Sequence, residues 1–296
     1  MNNNEKHAYL IMAHKFDYTF ETLLKLLDDY HNDIFIHMDI KNKDFDEISI
    51  RNIITKSNVF FTKRTSVTWG SYSVTNATLL LLKKAVSTKK YLYYHLISGQ
   101  DLPIKTQNYI HNFFKKNEGK EFIRYEDKLF KYKERVKYYY PLQELIGNYN
   151  NLFKKIYRNF FLALQKVFRV NRNKDMEYQK GTNWFSITDS LARYVIKKEK
   201  FIKKIFKNTY CSDELFLQTI VLNSEFINNL YHKDFDNNQI SIMRLIDWKR
   251  GNPYIFKDAD FDEINESEML FARKFDCMVD KTIINKIYQK VNNGCD

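Results

Sequence analysis

Four short apolar runs separated by helical patterns constrain this chain more than any other feature. His7–Ala13 (HAYLIMA), 33–38 (DIFIHM), 58–62 (NVFFT) and 91–97 (YLYYHLI) have the length and composition of buried strands. Residues 19–30 place Leu23, Leu26 and Leu27 on one helical face. Residues 73–86 are apolar on every side and predict a buried helix. Strands alternating with helices imply an α/β fold: a mostly parallel central sheet with crossover helices on its faces. Ligands of such sheets bind beyond the carboxyl ends of the strands. Asp39, Trp69 to Ser71, and Ser98 to Asp101 fall at or just past those ends.

The chain changes character from residue 130 to 174, where Lys, Arg, Tyr and Phe crowd together. Phe153, Ile156, Tyr157, Phe160, Phe161, Leu164, Val167 and Phe168 recur at three and four. Lys154, Lys155, Arg158, Lys166 and Arg169 fill much of the other face. This predicts a basic amphipathic helix. Further on, 183–187 and 239–245 read as strands, and 190–205, 214–222 and 281–291 as helices. Gly and Pro number only 7 and 3, which argues against long linkers and turn-rich sandwiches. One domain over 1–296 is the expected organisation.

A net charge of +12 attracts nucleic acid, anionic membrane or phosphorylated small molecules. The Lys/Tyr/Phe interleaving from 128 to 172 suits a binder of single-stranded nucleic acid, which is the alternative reading. No RRM, KH or helix-turn-helix pattern supports it, so nucleic acid is not the expected partner. The same basic helix, residues 152–172, suits peripheral contact with an anionic membrane. Cys211, Cys277 and Cys295 form no CxxC pair and read as thiols of a reducing compartment. The polar start and the short run from Ala8 to Ala13 predict neither signal peptide nor membrane span. The expected location is the cytoplasm, with peripheral attachment to the inner face of the membrane.

Familiar signatures are missing: GxGxxG, GxxxxGK[ST], HExxH and GxSxG do not occur. His7 and His14 flank the first strand without a carboxylate spaced for metal binding, and read as local hydrogen-bonding residues. What does occur is an ordered set: HMD (37–39), WGSYS (69–73), ISGQDLPIK (97–105), GTNWFSIT (181–188), CSDELFLQT (211–219), DWKRGNP (247–253) and LFARKFD (270–276). Together they resemble the core-2/I-branching β-1,6-N-acetylglucosaminyltransferase and peptide O-xylosyltransferase family, its bacterial members above all. The least matched stretch is about 125 to 175.

That resemblance implies a GT-A type, Rossmann-like glycosyltransferase fold and inversion at the anomeric carbon. The donor would be a UDP-sugar, and the acceptor a glycan or lipid-linked saccharide. Neither a cofactor nor a metal is implied. The sequence agrees on the last point. Asp101 is a single carboxylate where an Asp-x-Asp pair would otherwise hold Mg²⁺ or Mn²⁺, ions that want several oxygens. Residues 1–125 would then bind the nucleotide-sugar, 126–175 form a basic aromatic helical insertion, and 176–296 supply acceptor and catalytic parts.

The resemblance carries roles onto particular residues. Glu214 matches the family's catalytic base, with Asp213 beside it as a cap for the following helix. Asp39 matches a nucleoside contact, its other reading being an Asx turn. Trp69, Gly70 and Ser71 approach the donor, and Asp101 belongs to the same region. Lys274, Arg273 and Arg250, with Lys249 as neighbour, are the cations for the leaving diphosphate, or else surface charges. Glu126 matches an acceptor contact. Trp184 and Trp248 stack on a sugar or anchor the core.

Overall fold

The computed structural model describes residues 5–147, 151–174 and 176–294. Its strands are β1 (His7–Ala13), β2 (Asn32–Met38), β3 (Asn58–Phe61), β4 (Tyr93–Ser98), β5 (Asp101–Pro103), β6 (Phe122–Tyr125), β7 (Gly181–Thr188), β8 (Arg244–Ile246) and β9 (Phe271–Arg273). The first four are those the apolar runs predicted. They pair in parallel within a six-stranded sheet of order β3-β2-β1-β4-β7-β6. β7 runs antiparallel between β4 and β6. A three-stranded sheet, β5-β9-β8, stands apart.

The runs are continuous rather than alternating because both faces of the sheet are covered. Ala8, Leu10, Phe35, Tyr94 and Leu96 point into one apolar cluster, with Leu79, Leu82, Leu191 and Val195. Tyr9, Ile11, Ile34, Ile36, Tyr93 and Ile97 point into the other, with Phe20, Leu23, Leu27, Ile110, Ile283 and Ile287. Helices Tyr72–Thr88 and Asp189–Lys197 therefore cover one face, and helices Tyr18–Leu27, Gln107–Lys116 and Lys281–Asn292 the other. This is the α/β arrangement with a helix-flanked central sheet that the sequence implied.

Several boundaries differ from expectation. The first helix stops at Leu27 because Asp28 turns the chain and accepts from the backbone amides of Thr55, Lys56 and Ser57. The helix expected over 190–205 breaks at Lys198 into Asp189–Lys197 and Glu199–Phe206. The strand expected over 239–245 is a 3₁₀ turn, Gln239–Ser241, followed by short β8. Asn238 caps that turn by accepting from the Ile240 amide. Cys211 and Cys277 are free thiols, and Cys295 lies outside the described residues. Among the described residues no helix is long and apolar enough to cross a membrane.

The basic insertion holds helices Lys133–Lys137, Gln143–Ile146 and Leu152–Val167. The last is amphipathic as expected but turned outward. Its one buried residue is Gln165, whose amide accepts from Tyr139 N and donates to Tyr139 O. Phe153 is 82% exposed, and Leu152, Ile156, Phe160, Val167 and Phe168 are also exposed.

Candidate active site

The cleft past the ends of β1 and β2 has a volume of about 740 Å³. Asp39 sits at its base, buried, one residue after β2. Its Oδ1 accepts from the Lys41 amide at 2.9 Å, closing the expected Asx turn. Its Oδ2 accepts from the Val67 amide at 3.3 Å. The Asx turn is therefore present, and it holds the carboxylate in the cleft wall. Trp69, more than half exposed, lines the same cleft and meets Tyr210 edge-on at 6.0 Å.

Gly70 joins this loop to the catalytic segment. Its φ is +76°, and a Cβ there would lie 2.9 Å from the Tyr210 ring, so glycine is required twice over. Its carbonyl accepts from the Cys211 amide at 2.8 Å. Ser71 is fully buried as N-cap of helix Tyr72–Thr88, and its hydroxyl also donates to Glu144. Ser71 shapes the loop and does not face the cleft, a correction to its expected donor contact. Glu144 was not foreseen at all. Its carboxylate accepts from the Ser73 amide at the start of that helix, where negative charge is favoured. The insertion thus closes one wall of the Asp39 cleft, with Gly147 and Lys154 also lining it.

Asp101 and Arg273 face each other across the β5–β9 pair. The Asp101 carboxylate is buried. It accepts from the Ser98 amide at 2.9 Å, the Ser98 hydroxyl at 2.8 Å and Arg273 Nη1 at 2.6 Å. Asp101 therefore holds Arg273 and presents no free oxygens to a ligand. The Arg273 guanidinium lies 4.7 Å from the centroid of the buried Trp184 ring. Trp184 is thus a platform for Arg273, which accounts for its burial better than a sugar contact does. Lys274 follows, half-buried, with no ionic or hydrogen-bonding partner for its ammonium among the described residues. Burial and the adjoining Arg273 charge lower its pKa. His14, also a wall of the Asp39 cleft, has its pKa lowered by burial first and then by Lys15, with smaller contributions from Lys274 and Arg273. The sequence signal for His14 was its position just past β1.

Arg250 has different surroundings. It binds Asp247, Asp260 Oδ1 at 2.6 Å and Glu263 Oε2 at 2.7 Å. Three carboxylates on one guanidinium leave little positive charge to offer a diphosphate, against its expected role. Trp248, in the same segment, is about half exposed. Lys249 is exposed, with its backbone amide donated to Asp247.

Glu214 ends the 3₁₀ turn Ser212–Glu214. Its Oε2 meets Arg135 Nη1 at 2.8 Å and Lys180 Nζ at 3.7 Å, and Oε1 stays open. Lys180 also binds Glu126, which accepts from the Tyr132 hydroxyl at 2.6 Å. Glu126 and Glu214, far apart in sequence, therefore share one ammonium. Gly181 makes this possible: a Cβ there would fall 1.7 Å from the Arg124 carbonyl, where β6 and β7 pinch together. Asp213 caps no helix, contrary to expectation, since Leu215 stands at that position without a side-chain bond. Its Oδ1 is buried and unpartnered, and burial together with Glu214 pushes its pKa up to about 7. Arg135 and Tyr210 also line a second cleft of about 640 Å³ under helix Leu152–Val167. No sequence signal marked Arg135, Lys180 or Tyr132, because cations and tyrosines are dense throughout that stretch.

Tyr210 links two parts of the site: it meets Trp69 of the Asp39 cleft and lines the second cleft with Arg135, the partner of Glu214. The profile of the family described as "Branch: Core-2/I-Branching enzyme" matches residues 7–269. The chain is 26% identical over 146 residues to "Xylosyltransferase sqv-6" of Caenorhabditis briggsae, covering 43% of this chain and 18% of that protein. It is 22% identical over 243 residues to "Xylosyltransferase oxt" of Drosophila pseudoobscura pseudoobscura, covering 75% of this chain and 26% of the other. With human "N-acetyllactosaminide beta-1,6-N-acetylglucosaminyl-transferase" it is 24% identical over 287 residues, covering 91% and 68%. The chain thus spans about a quarter or less of the xylosyltransferases named here. The match of the family profile over nearly the whole sequence settles the assignment: this chain belongs to the Core-2/I-branching enzyme family.

Proposed function

We propose that this chain is an inverting, metal-independent glycosyltransferase. It moves a sugar, N-acetylglucosamine or xylose, from a UDP-sugar to a carbohydrate acceptor in bacterial surface glycan synthesis. The observation that carries the reading is the Glu214 carboxylate, whose Oε1 has no partner among the described residues, together with the cleft that Asp39 and Trp69 line. In this reading the nucleoside lies against Asp39 and Trp69. Glu214 Oε1 takes the proton of the acceptor hydroxyl as that oxygen displaces the nucleotide from the anomeric carbon. Charge building on the departing diphosphate is met by Arg273, already fixed by Asp101 and Trp184, and by Lys274. The donor set supports metal independence: Asp101 is committed to Ser98 and Arg273, and one carboxylate so committed is a poor site for Mg²⁺ or Mn²⁺.

The names of the relatives support the choice of sugars. The outward apolar face of helix Leu152–Val167, with exposed Lys155, Lys166 and Arg169 around it, supports an acceptor carried on lipid at an anionic membrane surface. The cytoplasmic face is the side where sugar nucleotides are at hand. The deciding experiment is a donor screen that reads UDP release with UDP-N-acetylglucosamine, UDP-xylose and other sugar nucleotides, with single-stranded oligonucleotides as competing ligands. Stabilisation and turnover with one UDP-sugar are expected. Stabilisation by oligonucleotides alone would overturn the proposal.

A further inference from the structure

The amino ends of the same parallel strands carry a cluster the proposed chemistry does not use. β1 begins at His7, and β2 is preceded by Asp29 and His31. Helix Gln107–Lys116 crosses here and brings His111. One ligand atom from each of Asp29, His31 and His111 lies within 4.8 Å of the others. They line a cavity of about 270 Å³ together with His7. His7 is fully buried, yet its Nε2 has no hydrogen-bond partner. A buried, unpaired ring nitrogen is costly and calls for a partner.

The neighbouring hydrogen bonds orient these rings. The Asn32 amide nitrogen donates to Leu27 O and Gln107 Oε1, both at 2.8 Å, which fixes its Oδ1 as acceptor. His111 Nε2, 2.8 Å from that oxygen, must then donate, and Nδ1 keeps its lone pair. A ring held by its other nitrogen on a carbonyl oxygen is the usual support of a metal-bound histidine. His7 Nδ1 meets His95 Nε2 at 2.9 Å, and His95 Nδ1 meets the Ser186 hydroxyl at 2.8 Å. In the tautomer where Ser186 accepts, His7 donates from Nδ1 and its Nε2 is free to bind a cation.

We infer that this corner is a metal site in which Asp29, His31 and His111, with His7 as a further ligand, hold one divalent transition-metal ion. Imidazole with one carboxylate suits Zn²⁺ and similar ions, whereas Ca²⁺ and Mg²⁺ ask for oxygen alone. The ion would tie the start of β1, the turn before β2 and helix Gln107–Lys116 together. It lies at the opposite strand ends from Asp39 and takes no part in sugar transfer. A ligand that binds only the folded state stabilises it in proportion to its concentration over Kd.

The test uses the full-length, tag-free chain stripped with chelator. Zn²⁺ is titrated by calorimetry and thermal unfolding, and Co²⁺ absorbance separates nitrogen and oxygen ligation from thiolate ligation. One saturable ion per chain is expected, with a rise in Tm and a Co²⁺ spectrum free of thiolate bands. Nucleotide binding is expected to be the same before and after stripping. His31→Asn and Asp29→Asn, at partly exposed positions that do not disturb the core, should each weaken binding at least about tenfold. His111→Gln should abolish it, and if that variant fails to fold the other two decide. His232→Asn, in the unrelated His232–Asp236 pair, should leave binding unchanged. No stoichiometric binding to wild type, or equal affinity in His31→Asn and Asp29→Asn, would overturn the site.

Discussion

Arg250 and the Arg273–Lys274 pair are near neighbours: the Tyr254 carbonyl, just past Arg250, accepts from the Lys274 amide. Their electrostatic states are opposite. Arg250 is surrounded by Asp247, Asp260 and Glu263 and is locally over-neutralised. Arg273 pairs with one buried carboxylate, Asp101, and Lys274 makes no ion pair among the described residues, Asp276 acting on it only through space. The first group is a clasp holding its loop, and the second is the pair proposed to meet the diphosphate. The same contrast separates the carboxylates. Asp101 has both oxygens committed, while Glu214 keeps Oε1 open. Residue type alone does not say which groups can act; the balance of opposite charge around each one does.

The sharpest way to break this contrast is at Glu214. Glu214→Gln keeps shape and the contact to Arg135 but cannot take a proton. Turnover should fall about 10²–10⁴-fold with donor affinity near wild type, read by UDP release and calorimetry. A variant that keeps more than about a tenth of wild-type turnover would move the base elsewhere, first to Asp213.

Next in size is the pair of cation variants. Lys274→Ala should lose about 2–4 kcal/mol in kcat/KM, as when an oxyanion donor is removed. Arg250→Ala should stay within about tenfold of wild type in kcat/KM, its main consequence being looseness of its own loop. Equal losses in both would show that the carboxylates around Arg250 release it during the reaction.

The smallest expected effect concerns Asp213. Its folded pKa is raised well above the unfolded value, so between pH about 4 and 7 the folded state binds more protons. Stability from this group is therefore present at low pH and lost as pH rises toward 7. Asp213→Asn should remove that fall, worth about 1 kcal/mol for each pH unit below 7, in denaturant unfolding compared at pH 5 and pH 8. An unchanged pH slope would show that Asp213 is solvated.

Part of this was legible in the sequence. Asp39 and Gly70 were readable because a strand end and a positive-φ turn are local features, set by a few neighbouring residues. Glu214 was readable through its motif. Arg135 and Lys180, which hold it, were not, since they come from the segment with the weakest resemblance and the densest charge. His7 looked like a lone histidine because its partners His31, His95 and His111 arrive from the turn before β2, from β4 and from a separate helix.

The sequence by itself determined the first four strands, β7 and the longer amphipathic or buried helices, because burial on both faces writes a continuous apolar run and helical burial writes a three-four period. It determined the period of helix Leu152–Val167 as well. Only the tertiary structure decided which side of that helix faces out: Gln165 finds both backbone partners at Tyr139, so a polar residue is buried and the phenylalanines are left at the surface. Only the tertiary structure decided, too, that Asp101 neutralises Arg273 and that three acids silence Arg250. Periodicity is a property of neighbours along the chain, whereas an ion pair is a meeting of side chains that folding brings from distant positions, and no local pattern records it.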